Sequence, residues 1–148
     1  MKPLPILLAA AALSLSAAVS AASAAHEAVV YKQPYCDCCE GHIAYLREHG
    51  YTVQVQVLQP AELARLKQQA GVDPDLASCH TTLIDGYAIE GHVPVAAIER
   101  LLRERPAIRG ISLPGMPAGA PGHPGQRSGP LVVMELGAPG QAREFMRD

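Results

Sequence analysis

Three of the four cysteines in this 148-residue chain fall within four consecutive positions, Cys36-Asp37-Cys38-Cys39, and the fourth is Cys79. Three cysteines so close together cannot all face an apolar core, so packing alone does not account for them. Cys36 and Cys39 have CxxC spacing, and the pattern that follows them is helical. The free N–H groups and dipole of a helix N-terminus favour the thiolate, which is the reactive and metal-ligating form. The CxxC pair by itself suits dithiol exchange. Cys38 adds a third thiolate that competes in any disulfide but suits Cu(I), which prefers thiolates and thioethers. Structural zinc usually draws on two separated ligand pairs. Here the second pair would be the adjacent Cys79 and His80, an awkward geometry for one tetrahedral ion, and zinc ranks third.

Other soft or borderline donors lie near these cysteines in sequence or topology. His80 either adds a nitrogen ligand or is an ordinary exposed loop histidine. His42 is four residues from Cys38 and three from Cys39, on the same helical face, and is either a ligand or a solvent-facing residue. Met116, in Pro114-Gly115-Met116-Pro117, has no periodic core to join. It is either a thioether ligand or a side chain tucked against a core edge. His123 is a weaker candidate, His92 is expected to cap or bridge backbone groups, and Met134 and Met146 fall at strand positions.

The elements that must position these residues follow from periodicity and turn residues. Ala28 to Tyr31 reads as a strand halted at Gln33-Pro34, and the segment from Cys38 to His49-Gly50 as a helix. Tyr51 to Leu58 alternates with period two as a strand, and Ala61 to Ala70 is a second helix, with Arg65 and Lys67 outward and Gly71 as its stop. Thr81 to Ile84 and Tyr87 to Val93 form a hairpin about Asp85-Gly86, and Pro94 opens a third helix that ends before Pro106. This order gives an α/β fold with a mixed sheet and packed helices. A strand-preceding loop in such a βαβαβ arrangement faces the first helix, which brings Cys79 to the cluster. Pro106 to Pro130 holds six prolines and six glycines and reads as a long irregular loop. Leu131 to Leu136 and Gln141 to Met146 read as a closing hairpin.

Composition narrows the class of partner. With a net charge of −2 and 18% charged residues, the chain offers no basic surface for a nucleic-acid backbone, and 4% aromatic residues leave little for base stacking. Lys2, a charge-free Leu- and Ala-rich run and Ala22-Ser23-Ala24 follow the plan of a secretory signal peptide over residues 1–24, followed by one domain over 25–148. The rival reading is an uncleaved anchor over Ile6 to Ala25, but its second half is Ala and Ser rather than Leu and Ile. No Cys follows the run, so a lipoprotein anchor has no attachment point. Export places the cysteines where disulfides persist.

Taken together, Tyr31-Lys32-Gln33-Pro34, the CxCC cluster, Ser78-Cys79-His80-Thr81, Gly86-Tyr87 with Glu90-Gly91-His92-Val93-Pro94, and Pro114-Gly115-Met116-Pro117 resemble a CxCC family of small exported metal-binding proteins that includes a copper-resistance protein. The resemblance extends over nearly all of the chain after the signal segment. It implies a thioredoxin-like fold, a periplasmic location and a copper site on Cys36, Cys38, Cys39 and Cys79, with Met116 as a loop ligand. It also implies a redox role in copper resistance. Two departures stand out: the family has Trp and His on the cluster helix where this chain has His42 and Tyr45, and often a second Met where it has His123. Tyr45 is no soft donor, which leaves His42, one turn earlier, as the imidazole of that helix.

The expectation is therefore a periplasmic protein holding Cu(I) through bridging thiolates, its partners being copper ions and other periplasmic copper-handling or redox proteins, with no nucleic acid and no membrane contact after signal cleavage. The alternative is a thiol-disulfide or copper oxidoreductase in which Cys36 attacks and Cys39 resolves. Intact-mass measurement of the exported protein is expected to place its first residue near Ala25; a species retaining Met1 to Ala24 contradicts the cleavage.

Overall fold

The computed structural model describes residues 26–137, 140 and 142–148, so the expected signal peptide over residues 1–24 lies outside the described residues, as does Gln141 at the start of the last expected strand. Strand β1 (Glu27–Lys32) leads through helix α1 (Asp37–Glu48) to β2 (Thr52–Val57), and helix α2 (Pro60–Ala70) follows. A single 3-10 turn (Pro74–Leu76) precedes the hairpin of β3 (Thr81–Ile84) and β4 (Tyr87–Glu90). Helix α3 (Val95–Glu104), β5 (Gly110–Ser112), β6 (Val132–Leu136) and β7 (Glu144–Arg147) complete the chain. The seven strands form one mixed sheet in the order β2-β1-β3-β4-β5-β6-β7. Strand β1 is parallel to β2 and antiparallel to β3, while β4 is parallel to β5.

Local sequence explains most of these boundaries. Asp85 and Gly86 both take positive φ, 49° and 85°, which are the values a two-residue hairpin turn demands. Helix α2 opens on a capping box between Gln59 and Glu62 and stops at Gly71 in the left-handed conformation. Helix α3 places Val95, Ala97, Ile98 and Leu101 on one buried face.

The sheet is covered on both faces. The main core gathers Ala28 and Val30 of β1, Ile43 and Leu46 of α1, Ile98 and Leu101 of α3, and Ile89 and Ile111 of the central strands. On the other face Val72, Ala88 and Leu136 pack with Ala70, Leu76, Ala77 and Leu83, so α2 and the segment after it lie on that side. Among the described residues no helix is long and apolar enough to cross a membrane.

Two sequence expectations are corrected here. The stretch from Pro106 to Pro130 is not irregular throughout, because Gly110–Ser112 forms β5 between β4 and β6. Three residues are too few to show a period, and a Gly at the strand start disguises it. That Gly is sterically required, since a Cβ at Gly110 would overlap the backbone of Ala88 on the neighbouring strand. Lys67 does not point outward. Its ammonium reaches inward to the fully buried carboxylate of Glu90, a tertiary partner that helical periodicity cannot reveal.

After β5 the loop returns across α1. A Cβ at Gly41 would collide with the carbonyl of Gly122, and Gly122, at φ 71°, meets the backbone of Gly41 and His42. Helix propensity alone favours Gly41→Ala by about 1 kcal/mol, so the sign of the effect is diagnostic. The expected result is a net loss of about 1–3 kcal/mol as the loop is pushed off the helix, read as a lower denaturant midpoint; a higher midpoint contradicts this close packing.

Candidate metal centre

Three segments meet at the C-terminal end of β1. Cys36 caps α1, Cys38 and Cys39 lie in its first turn, Cys79 precedes β3, and Met116 lies on the loop that follows β5. The sulfurs of Cys36, Cys38, Cys39 and Cys79 all lie within 4.8 Å of one another. Cys36 and Cys39 form a disulfide with a Cα separation of 5.4 Å, and Cys38 and Cys79 are free thiols. Cys38 Sγ is 3.6 Å from Cys36 Sγ and 3.7 Å from Met116 Sδ. Met116 is half exposed and Cys38 is only partly exposed, whereas Cys39 is wholly buried. The sulfur cluster thus has a closed inner side and an outer side open to solvent.

The Cys79 segment is braced from behind. Glu90 accepts from the backbone N–H of Ser78 at 2.7 Å and from the Thr81 hydroxyl at 2.6 Å, and Lys67 donates both to that carboxylate and to the Ser78 carbonyl. The Gly91 N–H donates to the His80 carbonyl at 2.9 Å. The Ser78 hydroxyl in turn donates to the Gly115 carbonyl, which ties the Met116 turn to the same segment. Burial raises the pKa of Glu90, opposed by Lys67 and by the donors of Thr81 and Ser78. Burial and the neighbouring Cys38 push the Cys79 thiol up to about 12, so its sulfur stays protonated until something replaces the proton.

Neither histidine alternative that placed an imidazole in solvent holds. His42 and His80 are both fully buried, because the loop covers α1 and because β3 is an inner strand. His42 Nε2 donates to the Val93 carbonyl at 3.1 Å, and its Nδ1 lies 3.0 Å from His80 Nε2. With both nitrogens engaged, His42 stands behind His80 rather than beside the sulfurs. His80 Nδ1 lies 3.1 Å from Cys79 Sγ, so the adjacent pair that looks awkward in sequence converges on one point. His80 ends a loop and its ring turns back toward the preceding residue, a freedom that strand geometry does not allow. His92 does bond a backbone group, donating from Nδ1 to the Pro121 carbonyl at 2.8 Å. Its Nε2 is nonetheless buried without a partner, as is Nδ1 of the half-buried His123 next to it. Tyr45 accepts from the Val95 N–H at 2.9 Å and so satisfies a free donor at the start of α3. Met134 and Met146 are half-buried, on β6 and β7.

Sequence reasoning missed Lys67, Glu90 and the depth of His92. Burial of all three inner imidazoles favours their neutral forms: it lowers His42 to about 4, holds His80 well below its ordinary value and lowers His92. Imidazoles that resist protonation in the fold but accept protons when unfolded stabilise the fold fully above the ordinary histidine value. That contribution is lost as pH falls toward about 4 for His42. Glu90, shifted upward, works in the opposite sense as a single group. The denaturant midpoint is therefore expected to fall between neutral pH and about 4, with a shallower fall in His42→Leu. A flat profile across that window contradicts the neutral, buried cluster.

Residues 76–123 match the family described as a protein of unknown function, DUF411, a span that includes Cys79, His80, His92, Met116 and His123. No curated protein sequence matches the chain. A solved structure of the copper resistance protein CopG, in form 2, is 37% identical, covers 84% of this chain and 98% of its own, and superposes with a TM-score of 0.75. The form 1 structure is 37% identical over 82% of this chain and 96% of its own, with a TM-score of 0.73. This level of identity over almost the whole of a solved relative, with the matched segment carrying half of the sulfur and histidine cluster, shows that the chain belongs to the DUF411 family and is a structural relative of CopG.

Proposed function

We propose that this protein is a periplasmic copper-handling protein that takes up Cu(I) on Cys36, Cys38, Cys39 and Cys79, with Met116 as a fifth sulfur at the open side. The observation that carries this reading is the convergence of four cysteine sulfurs within 4.8 Å from two segments forty residues apart. Thiolate and thioether donors in this number suit a soft monovalent ion, and bridging sulfurs let several ions share them. The copper-resistance role of the solved relatives agrees with this donor set. The order β2-β1-β3-β4 of the first four strands, with α1 and α2 after β1 and β2, supports a thioredoxin-like core under the site. The signal-like segment supports export and cleavage near Ala25.

The Cys36–Cys39 disulfide determines how many thiolates the site offers. Reduction by two electrons and two protons breaks the S–S bond and restores two thiols, and an external dithiol protein or other periplasmic reductant must supply them. In the reduced site His80 presents a nitrogen beside Cys79, and His42 holds the His80 ring.

The test is anaerobic competition of the reduced protein against a Cu(I)-selective chelator. Tight Cu(I) binding is expected, weakened by about tenfold or more and reduced in stoichiometry in Cys38→Ser, with a smaller loss in Met116→Leu. If Cys38→Ser keeps the full copper stoichiometry while Cys36→Ser abolishes disulfide exchange with a partner protein, the binding reading falls and the oxidoreductase takes its place.

A further inference from the structure

The seven-stranded sheet ends in two very different edges. Strand β7 is short, carries Glu144 and Arg147, and meets β6 through a register shift, all features that discourage a further strand from adding there. Strand β2, at the other end of the sheet, has none of them. Its residues Thr52 to Val57 are uncharged, include no Pro or Gly, and pair with β1 without interruption. The amides of Thr52 and Leu58 donate to the His26 and Lys32 carbonyls at 3.1 and 2.9 Å. By the two-residue period of a strand, the N–H and C=O groups of Val53, Val55 and Val57 therefore point away from β1, to the open edge. Arg47 donates to the Val53 carbonyl at a long 3.4 Å and leaves its second lone pair free. The three valines share one face of the strand. Val53 and Val55 pack against the main core, whereas Val57 is 57% exposed.

We infer that β2 is a dimerisation edge, paired antiparallel with β2 of a second copy of this chain about a twofold axis at Val55. In that register Val55 opposes Val55 of the partner subunit, and Val53 opposes Val57 of the partner subunit on either side of the axis. Each of these opposed pairs exchanges two N–H···O bonds, because the outward-pointing groups of both strands meet. Opposed residues of an antiparallel pair lie on the same face, so each exposed Val57 is covered by a valine and the two copies share one apolar stripe. On the other face Gln54 meets Gln56 of the partner subunit, and no like charges oppose each other across the axis. Moving the axis to Gln54 or Gln56 sets a valine opposite Tyr51 or Gln59. The amides of those two residues already donate to the Leu46 carbonyl and the Glu62 carboxylate, so bonds are lost in either shift. The edge is thus its own complement, which is what an isologous interface requires. Since β1 runs parallel to β2, the axis sets the two sulfur clusters at opposite ends of the joined sheet. This inference goes beyond the copper-thiolate reading and does not depend on it.

The test is sedimentation equilibrium of the exported protein, with the Cys36–Cys39 disulfide intact, from roughly micromolar concentrations upward. A doubling of mass with rising concentration is expected. A first double variant, Gln54→Lys with Gln56→Lys, sets like charges opposite each other twice across the axis and is expected to weaken association by about tenfold or more. A second, Gln54→Lys with Gln56→Glu, sets opposite charges at both places and is expected to restore it, which only a register pairing these two positions allows. Both glutamines are exposed, so the denaturant midpoint of the single chain is expected to change little. Amide hydrogen exchange of the unaltered protein gives a readout that needs no variant: exchange at Val55 and Val57 is expected to slow as concentration rises. A single-chain mass throughout, or exchange at these amides that ignores concentration, would overturn the pairing. So would a dimer that survives the first double variant, as one made through Cys38 does, or association that the second fails to restore. Failure of Cu(I) competition in the reduced protein would leave this result untouched.

Discussion

The buried carboxylate of Glu90 is the contact on which the rest of the site depends. It lies on an inner strand, wholly removed from water, and an unpaired charge there would be strongly unfavourable. Lys67 from α2, the Ser78 amide and the Thr81 hydroxyl compensate it together, and each comes from an element that must then keep its place. The segment so held is the one that carries Cys79 and His80. A buried pair of this kind contributes little net stability, because desolvation offsets most of the attraction. Its effect here is positional: an otherwise irregular loop is held at a distance from α1 that allows Cys79 to meet the sulfurs of the CxCC turn.

The site also has a polarity of its own, soft and open on one side, nitrogen-rich and closed on the other. Met116 and the thiol of Cys38 face outward on a turn fastened through Ser78, where an incoming ion can reach them. The histidines lie inward, where burial keeps them neutral and backbone carbonyls choose which nitrogen holds the lone pair. Cys79 sits at the boundary and belongs to both donor groups. Oxidation of Cys36 and Cys39 alters the outer group alone, so the two sides respond differently to the redox state of their surroundings.

Much of this was legible in the residues. The crowding of Cys36, Cys38 and Cys39 at the start of a helical pattern, the Asp85-Gly86 turn, the Gly71 stop and the alternation of β2 are local signals, and local energetics decides them. Even the approach of Cys79 followed from the order of elements, since a loop before a central strand has few places to go. Tertiary packing decided the remainder. Strand β5 exists because Gly110 lets two backbones approach, not because three residues carry a pattern. Lys67 looks like any outward helix lysine until a buried acid is placed beneath it, and His42 looks like a surface residue until a Pro/Gly loop closes over α1 at Gly41. Which imidazole nitrogen is free depends on carbonyls of Val93 and Pro121, residues that touch the site only after the chain has folded. The sequence by itself determined the kind of chemistry, because that depends on which donor atoms are present and how closely they are strung. The tertiary structure decided which donors share a site and which lie behind it, because burial, tautomer and distance depend on contacts between segments far apart in the chain.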